Sequence, residues 1–320
     1  MPKRNIIVVG ASAGGVETLC QLFKNLPKEL KASIFVAMHV GSESSLPHIL
    51  TRCGKLPAMT AEHNKLYKRG CAYIAPAHHH LSIKNGMTVL SRGPRENGYR
   101  PAIDVLFRSA ARAHRNKVVG VVLTGGRDDG SAGLYAIKAR GGVAIVQDPA
   151  DAINPGMPRS ALDTVDVDFC LPLVQIADVL VQLADGKASH ITESRNGETN
   201  SETKADIDHP RSEAPGGQVP LACPECNGPL YELREGNLAR FQCFVGHAFS
   251  PESLSEQHTE ALERALWTAM RTLKERTVLH QKLIERKRNK GEDVLLKRLE
   301  ESIGTAERDL KLLREILDRI

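Results

Sequence analysis

A glycine-rich stretch near the start of the chain, Gly-Ala-Ser-Ala-Gly-Gly at residues 10–15, most constrains the fold. It follows an apolar run at residues 6–9 and precedes apolar residues that recur at helical spacing from Val16 to Phe23. This order predicts a buried parallel strand, a tight turn with Ser12 at its apex, and a helix whose N-terminus points at the same place.

The glycine-rich turn allows three interpretations from its residues alone. A serine beside the free N–H groups of a helix N-terminus could be a nucleophile next to an oxyanion site, as in a G-x-S-x-G elbow. The same N–H groups could instead cradle the phosphate of a nucleotide. The third interpretation is a closely packed βα turn with no chemistry. The turn by itself does not favour any of the three.

The composition excludes several classes of protein. A chain of 320 residues is long enough for about two domains. The net charge of +5 is spread along the chain and only 4% of the residues are aromatic, so neither feature predicts a nucleic-acid partner. No apolar run is long enough to span a membrane, and the N-terminus lacks a signal-peptide pattern. We therefore predict a cytoplasmic protein that is not membrane-inserted.

Residues 1–186 alternate between strand-like and helical patterns. This rhythm predicts an α/β domain with a doubly wound, mainly parallel sheet. Sheets of this kind bind ligands at the carboxyl ends of their strands. The predicted strands cover residues 6–9, 34–38, 72–74, 118–123 and 143–146, and the predicted helices cover residues 16–24, 102–113 and 131–139.

Three polar residues follow three of the predicted strands. Ser12 comes after the first strand, His39 after the second, and Asp129 lies in a glycine-rich turn after the fourth. A serine hydrolase needs a nucleophile, a base and a carboxylate that orients the base, in any chain order. A dinucleotide site would have an acidic residue where His39 stands, which disfavours the nucleotide interpretation. The strand ends therefore predict a catalytic triad of Ser12, His39 and Asp129.

Further short motifs run in order along the same half of the chain. With the glycine-rich turn they resemble the catalytic domain of the chemotaxis protein-glutamate methylesterases, the CheB family, over residues 5–185. The resemblance implies hydrolysis of glutamate γ-methyl esters on chemoreceptor-like proteins with release of methanol, and glutamine deamidation as a second reaction. It implies no cofactor for catalysis and assigns the triad to Ser12, His39 and Asp129. The motifs are Met-His at 38–39, Ala-Tyr-Ile-Ala-Pro at 72–76, Arg-Pro-Ala-Ile-Asp-Val-Leu-Phe at 100–107, Leu-Thr-Gly at 123–125 with Asp-Gly at 129–130, and Gly-Met-Pro at 156–158.

The resemblance is incomplete at three points. Ala13 stands where the family usually has threonine, and Gly126 and Arg127 stand where it usually has methionine and glycine. The phospho-receiver domain that usually precedes the catalytic domain is not expected here. The backbone N–H groups of Ala13 and Gly126 are the expected oxyanion donors, so the change at Gly126 bears on activity. The alternative is a catalytically impaired interaction or scaffold protein of a chemosensory-type signalling system.

A second group of chemically active residues follows a change in composition. Residues 187–220 are rich in small and polar residues, which predicts a disordered linker. Beyond it, Cys223 with Cys226 and Cys243 with His247 form two pairs of ligands. This spacing predicts a structural, tetrahedral zinc site in a ribbon over residues 221–250. A unit this small needs a cross-link such as a bound metal to fold. We expect the linker to keep the ribbon and its zinc apart from the esterase domain.

Residues 251–320 predict an α-helical tail. Ser250 and Pro251 form a helix start, and Gly291 separates a first long helix from a second. Apolar residues in the second helix alternate in steps of four and three, which is a heptad seam. The tail therefore predicts either a helical hairpin within one chain or a coiled coil that pairs two chains into a dimer. The seam consists of Leu299, Ile303, Ala306, Leu310, Leu313, Leu317 and Ile320.

Overall fold

The computed structural model of the protein describes residues 3–39, 45–187, 217–235, 238–287 and 293–320. The chain forms two compact units, Met1–Ser253 and Leu254–Ile320. Most of the predicted linker, residues 188–216, lies outside the described residues. The first unit contains the α/β domain and the ribbon, and the second unit is helical.

The α/β domain alternates strands and helices as its apolar patterning predicts. Its strands are β1 (Ile6–Ala11), β2 (Ser33–Met38), β3 (Ala58–Thr60), β4 (Lys65–Leu66), β5 (Ala72–Ile74), β6 (His80–Lys84), β7 (Met87–Ser91), β8 (Val118–Val122), β9 (Val143–Gln147) and β10 (Phe169–Leu171). Its helices are α1 (Gly15–Asn25), α2 (Leu46–Cys53), α3 (Ile103–His114), α4 (Ser131–Lys138), α5 (Gly156–Thr164) and α6 (Leu173–Asp185), with a 3₁₀ turn at Arg115–Lys117.

A seven-stranded sheet forms the centre of this domain, in the order β10-β9-β8-β1-β2-β5-β3. Every pair of neighbouring strands in it is parallel. Strands β1 and β2 are buried along their whole length, because helices cover both faces of the sheet. The register pairs Ala11 with Met38, so the residues after β1 and β2 leave the sheet side by side.

The two faces of the sheet form two separate hydrophobic cores. One core packs α1, α2 and α6 against side chains such as Ile7 and Val9. The other packs α3, α4 and α5 against side chains such as Ile6 and Val8. Neighbouring residues of β1 point to opposite faces, as the pleat requires. The doubly wound, parallel architecture predicted from the sequence is thus confirmed.

Several features of the α/β domain were not predicted. The short strands β3 and β10 extend the main sheet at its two edges. Strands β4, β7 and β6 form a separate antiparallel sheet. His80 begins β6 and is buried. The side chains of Cys20 in α1 and Cys53 in α2 are joined by a disulfide.

The ribbon is a four-stranded antiparallel sheet with strands β11 (Gln218–Ala222), β12 (Pro229–Glu235), β13 (Leu238–Cys243) and β14 (Ala248–Phe249). It begins at Gln218, a few residues before the predicted boundary. The expectation that it stands apart from the α/β domain is wrong. The Asn97 N–H donates to the Ala248 carbonyl at 2.8 Å, and the Ala248 N–H donates to the Arg95 carbonyl at 3.3 Å. The ribbon therefore contacts the α/β domain that precedes the linker.

The helical part consists of α7 (Pro251–Lys287) and α8 (Asp293–Leu317). The predicted break at Gly291 lies outside the described residues. The predicted heptad seam is the least exposed side of α8, with Ala306 buried and Leu299 and Leu310 half-buried, as expected for a helix that packs along that seam. A dimer through this tail stays a prediction. Among the helices of the described residues, none combines the length and apolarity needed to cross a membrane. The cytoplasmic location also stays a prediction.

Candidate active site

Ser12 occupies the turn between β1 and α1. Gly14 in this turn has φ of 77°, a left-handed conformation that glycine adopts without steric cost. The Gly15 N–H donates to the Ser12 carbonyl at 2.8 Å, which closes the turn. The Ser12 N–H donates to the Thr124 carbonyl at 2.9 Å and so ties the turn to the end of β8. Ser12 is thus held rigidly at the carboxyl edge of the sheet.

The structure brings the three predicted triad residues together. His39 follows β2, and its Nδ1 lies 3.0 Å from the Ser12 hydroxyl oxygen. Its Nε2 lies 2.7 Å from Asp129 Oδ2. The side chain of Asp129 is fully buried and that of His39 is only 6% exposed, so water competes little for these hydrogen bonds. The arrangement is a continuous chain from serine to histidine to carboxylate.

The Asp129 carboxylate is fixed by donors on both of its oxygens. Oδ2 accepts from His39 and from the Ile103 N–H at 2.7 Å. Oδ1 accepts from the Asn97 side-chain amide and from the Asp104 N–H, each at 3.1 Å. The two backbone donors belong to the first residues of α3, where N–H groups lack partners within the helix. The N-terminus of α3 thus orients the carboxylate toward His39.

This orientation selects one tautomer of His39. Because Asp129 accepts a hydrogen bond, the ring carries its proton on Nε2, and Nδ1 presents a lone pair to the Ser12 hydroxyl. The roles of the two ring nitrogens are interchanged relative to the chymotrypsin-type triad, in which Nε2 faces the serine. The chemistry available is the same: Nδ1 can take the serine proton while the carboxylate stabilises the imidazolium.

Asp128, the other aspartate of the turn, has a different environment. Its Oδ1 accepts a hydrogen bond from the Ser253 hydroxyl at 2.5 Å. Burial raises the pKa of Asp128. Its carbonyl accepts from the Ser131 N–H at 3.1 Å, which helps to start α4. The spacing to Gly130 therefore selected the aspartate that contacts His39.

Sequence reasoning missed two polar residues behind the triad. Asp104 accepts hydrogen bonds from the Gly130 N–H at 3.1 Å and the Gly133 N–H at 2.6 Å. Its burial and the neighbouring Asp129 carboxylate raise the pKa of Asp104 to about 8. The Asn97 amide donates both to Asp104 Oδ2 at 3.0 Å and to Asp129 Oδ1, so it bridges the two carboxyl groups. Asp104 lies within the motif at residues 100–107, but a single buried acid has no periodic signal by which sequence alone could assign its role.

The residues predicted as oxyanion donors lie in the two glycine-rich turns that follow β1 and β8. Within the described part of the chain, the backbone N–H groups of Ala13 and Gly126 donate to no acceptor. The turn at Gly125 is packed so closely that an added Cβ would lie 2.8 Å from the Ser12 Cβ. The Gly125 N–H donates to the Asn154 carbonyl at 3.0 Å, which fixes the turn. The two free N–H groups therefore remain available to an anionic oxygen.

Tyr99 covers one face of His39, and Arg127 lies over the Tyr99 ring. The Tyr99 ring stacks on the imidazole with centroids 3.5 Å apart, and the Arg127 guanidinium lies 5.7 Å from the Tyr99 centroid. A cleft of about 330 Å³ opens beside this stack, and Arg95 and Arg100 contribute to its wall. The residue that departs from the family pattern, Arg127, thus packs outside His39 and leaves the triad contacts intact.

The predicted ligand residues of the ribbon also come together. The ligand atoms of Cys223, Cys226, Cys243 and His247 all lie within 4.8 Å of one another. The Cys226 and Cys243 sulfurs are 3.6 Å apart, and His247 Nδ1 is 3.5 Å from the Cys243 sulfur. Three soft sulfur donors and one imidazole nitrogen at such distances fit a closed tetrahedral zinc site.

Comparison with known proteins agrees with this geometry. The sequence model of the family described as CheB methylesterase matches residues 7–180. The chain is 39% identical over 180 residues to a putative protein-glutamate methylesterase/protein-glutamine glutaminase of Leptospira interrogans, covering 55% of this chain and 93% of the relative. It is 35% identical over 184 residues to the Thermotoga maritima protein-glutamate methylesterase/protein-glutamine glutaminase, covering 56% of this chain and 54% of that relative.

A solved structure shares the fold. The crystal structure of the Thermotoga maritima CheB methylesterase catalytic domain superposes with a TM-score of 0.54 at 34% identity, covering 57% of this chain and all of that domain. The matched relatives carry the name of a carboxylic ester hydrolase. The range matched by the family model contains Ser12, His39 and Asp129. The chain therefore belongs to the CheB methylesterase family.

Proposed function

We propose that the protein hydrolyses glutamate γ-methyl esters on a chemoreceptor-like protein and releases methanol, with Ser12 as nucleophile, His39 as base and Asp129 as orienting carboxylate. The observation that carries this proposal is the pair of hydrogen bonds at His39, whose Nδ1 accepts from the Ser12 hydroxyl at 3.0 Å and whose Nε2 donates to Asp129 at 2.7 Å. Relatives that are 39% and 35% identical to this chain are named putative protein-glutamate methylesterase/protein-glutamine glutaminase and protein-glutamate methylesterase/protein-glutamine glutaminase. Deamidation of glutamine follows the same acyl chemistry with ammonia as the leaving group.

The proposed reaction has two halves. Ser12 Oγ attacks the ester carbonyl as its proton moves to His39 Nδ1, and the anionic carbonyl oxygen accepts from the N–H groups of Ala13 and Gly126. The C–O bond then breaks, methoxide takes the proton from His39 as methanol, and the acyl group stays on Ser12. Water, deprotonated by the same histidine, attacks the acyl-enzyme and releases the glutamate carboxyl group and free Ser12.

The proposed substrate is acidic around the ester. Arg95 and Arg100 line the cleft beside His39. The Arg100 guanidinium at the rim, and that of Arg95 where it exchanges its ion pair with Glu225, would attract carboxylates of a receptor helix and raise the rate of encounter more than the affinity. The reaction is proposed to occur in the cytoplasm, and no cofactor is required for its steps.

The alternative, a catalytically impaired interaction protein, differs in the reactivity of Ser12. We expect a fluorophosphonate probe to label the full chain at Ser12 and at no other serine, because only a hydroxyl next to a free imidazole lone pair is activated. Peptide mapping of the labelled protein locates the adduct. A folded chain that stays unlabelled would favour the interaction protein.

We further propose one structural zinc per chain, held by Cys223, Cys226, Cys243 and His247. A closed set of four protein ligands leaves no position for an activated water, so the metal has a structural role and takes no direct part in the chemistry. We expect elemental analysis to find one zinc per chain, and chelation to expose the ribbon thiols to a thiol reagent. Cys170, exposed and outside the ribbon, reports the background labelling. A ribbon that stays folded and unreactive without zinc would contradict the structural role.

A further inference from the structure

The triad is supported from behind by the loop at residues 92–102, between β7 and α3, here called the triad loop. Its central residue, Asn97, is 1% exposed and has φ of 52°, a left-handed conformation that asparagine tolerates. The Asn97 amide donates to Asp129 Oδ1 at 3.1 Å and to Asp104 Oδ2 at 3.0 Å. The position of Asn97 therefore helps to fix the carboxylate that orients His39.

The ribbon holds Asn97 from the opposite side. The Asn97 N–H donates to the Ala248 carbonyl at 2.8 Å, and the Ser250 N–H donates to Asn97 Oδ1 at 3.1 Å. Ala248 directly follows the ligand residue His247 in the chain. A single asparagine thus connects the end of the Cys₃His cluster to the triad carboxylate through hydrogen bonds made by its own atoms.

A buried ion pair strengthens this attachment. Glu96 in the triad loop accepts two hydrogen bonds from Arg108 of α3, at 2.7 and 2.6 Å, and another from Arg240 of β13. Burial alone would raise the pKa of Glu96, but the two guanidinium charges outweigh it and lower the pKa to about 2. Removing one partner of such a buried group is costly, because the remaining charges lose their compensation. Arg240 therefore fastens the ribbon sheet to the triad loop.

Two further contacts surround the same region. Ser253, fully buried at the start of α7, donates its hydroxyl to Asp128, the residue before Asp129. Glu225, which lies between the ligand residues Cys223 and Cys226, forms an ion pair with Arg95 of the triad loop at 3.6 Å. The Cys223–Cys226 end of the ribbon and the first turn of α7 thus contact residues next to the triad support.

We propose that the ribbon is a positioning element of the esterase. When its Cys₃His site holds a metal, the hydrogen bonds from residues 248–253 keep Asn97 in contact with Asp129. When the metal is removed, the triad loop becomes mobile and the Asp129 carboxylate loses its hydrogen bond from Asn97. This inference rests on the proposed function. It follows from the coupling of metal binding to folding in so small a unit. Asp129 keeps its contacts to Ile103 and Asp104 without the ribbon, so activity falls without being abolished.

The first readout is independent of activity. Amide hydrogen exchange is measured on the full chain with zinc and after chelation. Exchange is expected to rise in the ribbon and in residues 92–102, while β1 and β8 keep their protection. An unchanged triad loop would overturn the proposal. Loss of protection throughout the central sheet would overturn it too, because the ribbon would then support the whole fold and not the triad in particular.

The second readout is the hydrolysis of p-nitrophenyl acetate, whose small acyl group needs no receptor. Chelation is expected to lower kcat about 10²-fold with little change in KM, the size of effect that a misplacement near 1 Å produces. In Asp129→Asn the same treatment is expected to change kcat less than about threefold, because effects that pass through one residue are not additive. An equal fold-loss of kcat on chelation in the wild type and in Asp129→Asn would overturn the proposal, since the ribbon would then affect activity without acting through Asp129.

Substitution gives the same comparison without a chelator. Cys226→Ser removes one ligand and is expected to reproduce the chelated protein in both readouts, whereas Cys170→Ser, at an exposed free cysteine of β10, is expected to behave as wild type. A Cys226→Ser protein with normal kcat and an ordered triad loop would contradict the proposal. A zinc-loaded wild type that fails to react with a fluorophosphonate would instead contradict the proposed function.

Discussion

Ser12→Ala is expected to lower ester hydrolysis by a factor on the order of 10⁶ in kcat, and His39→Ala by a similar factor. In the proposed reaction Ser12 Oγ forms the bond to the acyl group, and His39 is the base that lies 3.0 Å from this oxygen. The two residues act as a unit, so the double variant is expected to be no slower than either single one. Steady-state hydrolysis of p-nitrophenyl acetate measures all three.

The matched control for this pair is Ser33→Ala. Ser33 is a buried serine at the start of β2, at the end of the strand opposite to His39, and its hydroxyl donates to the Lys68 carbonyl. It is expected to keep wild-type kcat. Because Ser12 and His39 follow the strands and are not part of either core, thermal unfolding of their alanine variants is expected to stay close to wild type. A Ser12→Ala protein that kept more than about a tenth of wild-type turnover would rule out the triad.

Asp129→Asn is expected to lower kcat by about 10⁴-fold. Each carboxylate oxygen of Asp129 accepts two N–H donors, so the amide of asparagine faces donors in either orientation. If the amide faces His39, the imidazole must move its proton to Nδ1 and can no longer accept the Ser12 proton. If it faces Asn97, the Asn97 amide and the Asp104 N–H lose their acceptor. Either outcome impairs His39 as the base that accepts the Ser12 proton.

Asp128→Asn provides the neighbouring comparison. The oxygen of an asparagine side chain can still accept the Ser253 hydroxyl, so this variant is expected to stay within about tenfold of wild-type kcat. The two variants differ by one position in the chain and remove the same charge. A larger loss in Asp128→Asn than in Asp129→Asn, measured on the same ester, would transfer the orienting role to Asp128.

The parallel sheet and the triad could be predicted because both have local signals. Apolar runs define β1, β2 and β8, and the residue after each buried strand lies at one edge of the sheet by geometry. The short edge strands β3 and β10 were not predicted, because a run of three residues is too short to show a periodicity. The small antiparallel sheet that contains His80 was not predicted either, although its strands β6 and β7 are five residues long.

The attachment of the ribbon could not be predicted from the sequence. A change in composition at residue 187 marks a linker, but a flexible segment does not determine where the chain beyond it packs. The contacts that matter are made by backbone atoms of Ala248 and Ser250 to Asn97, and backbone atoms carry no sequence signal. Arg240 and Glu96 form a buried ion pair although 144 positions separate them in the sequence. Charge patterning along the chain does not reveal a pair so far apart.

The most direct test of the account is methanol release from a receptor fragment that carries glutamate γ-methyl esters. The zinc-loaded full chain is incubated with the methylated fragment, and methanol and free glutamate carboxyl groups are quantified together. We expect methanol and free carboxyl groups to appear in equal amounts with the wild type. Ser12→Ala is expected to release neither product above the uncatalysed rate. A folded, zinc-loaded wild type that releases no methanol, or a Ser12→Ala protein that releases as much as wild type, would contradict this account.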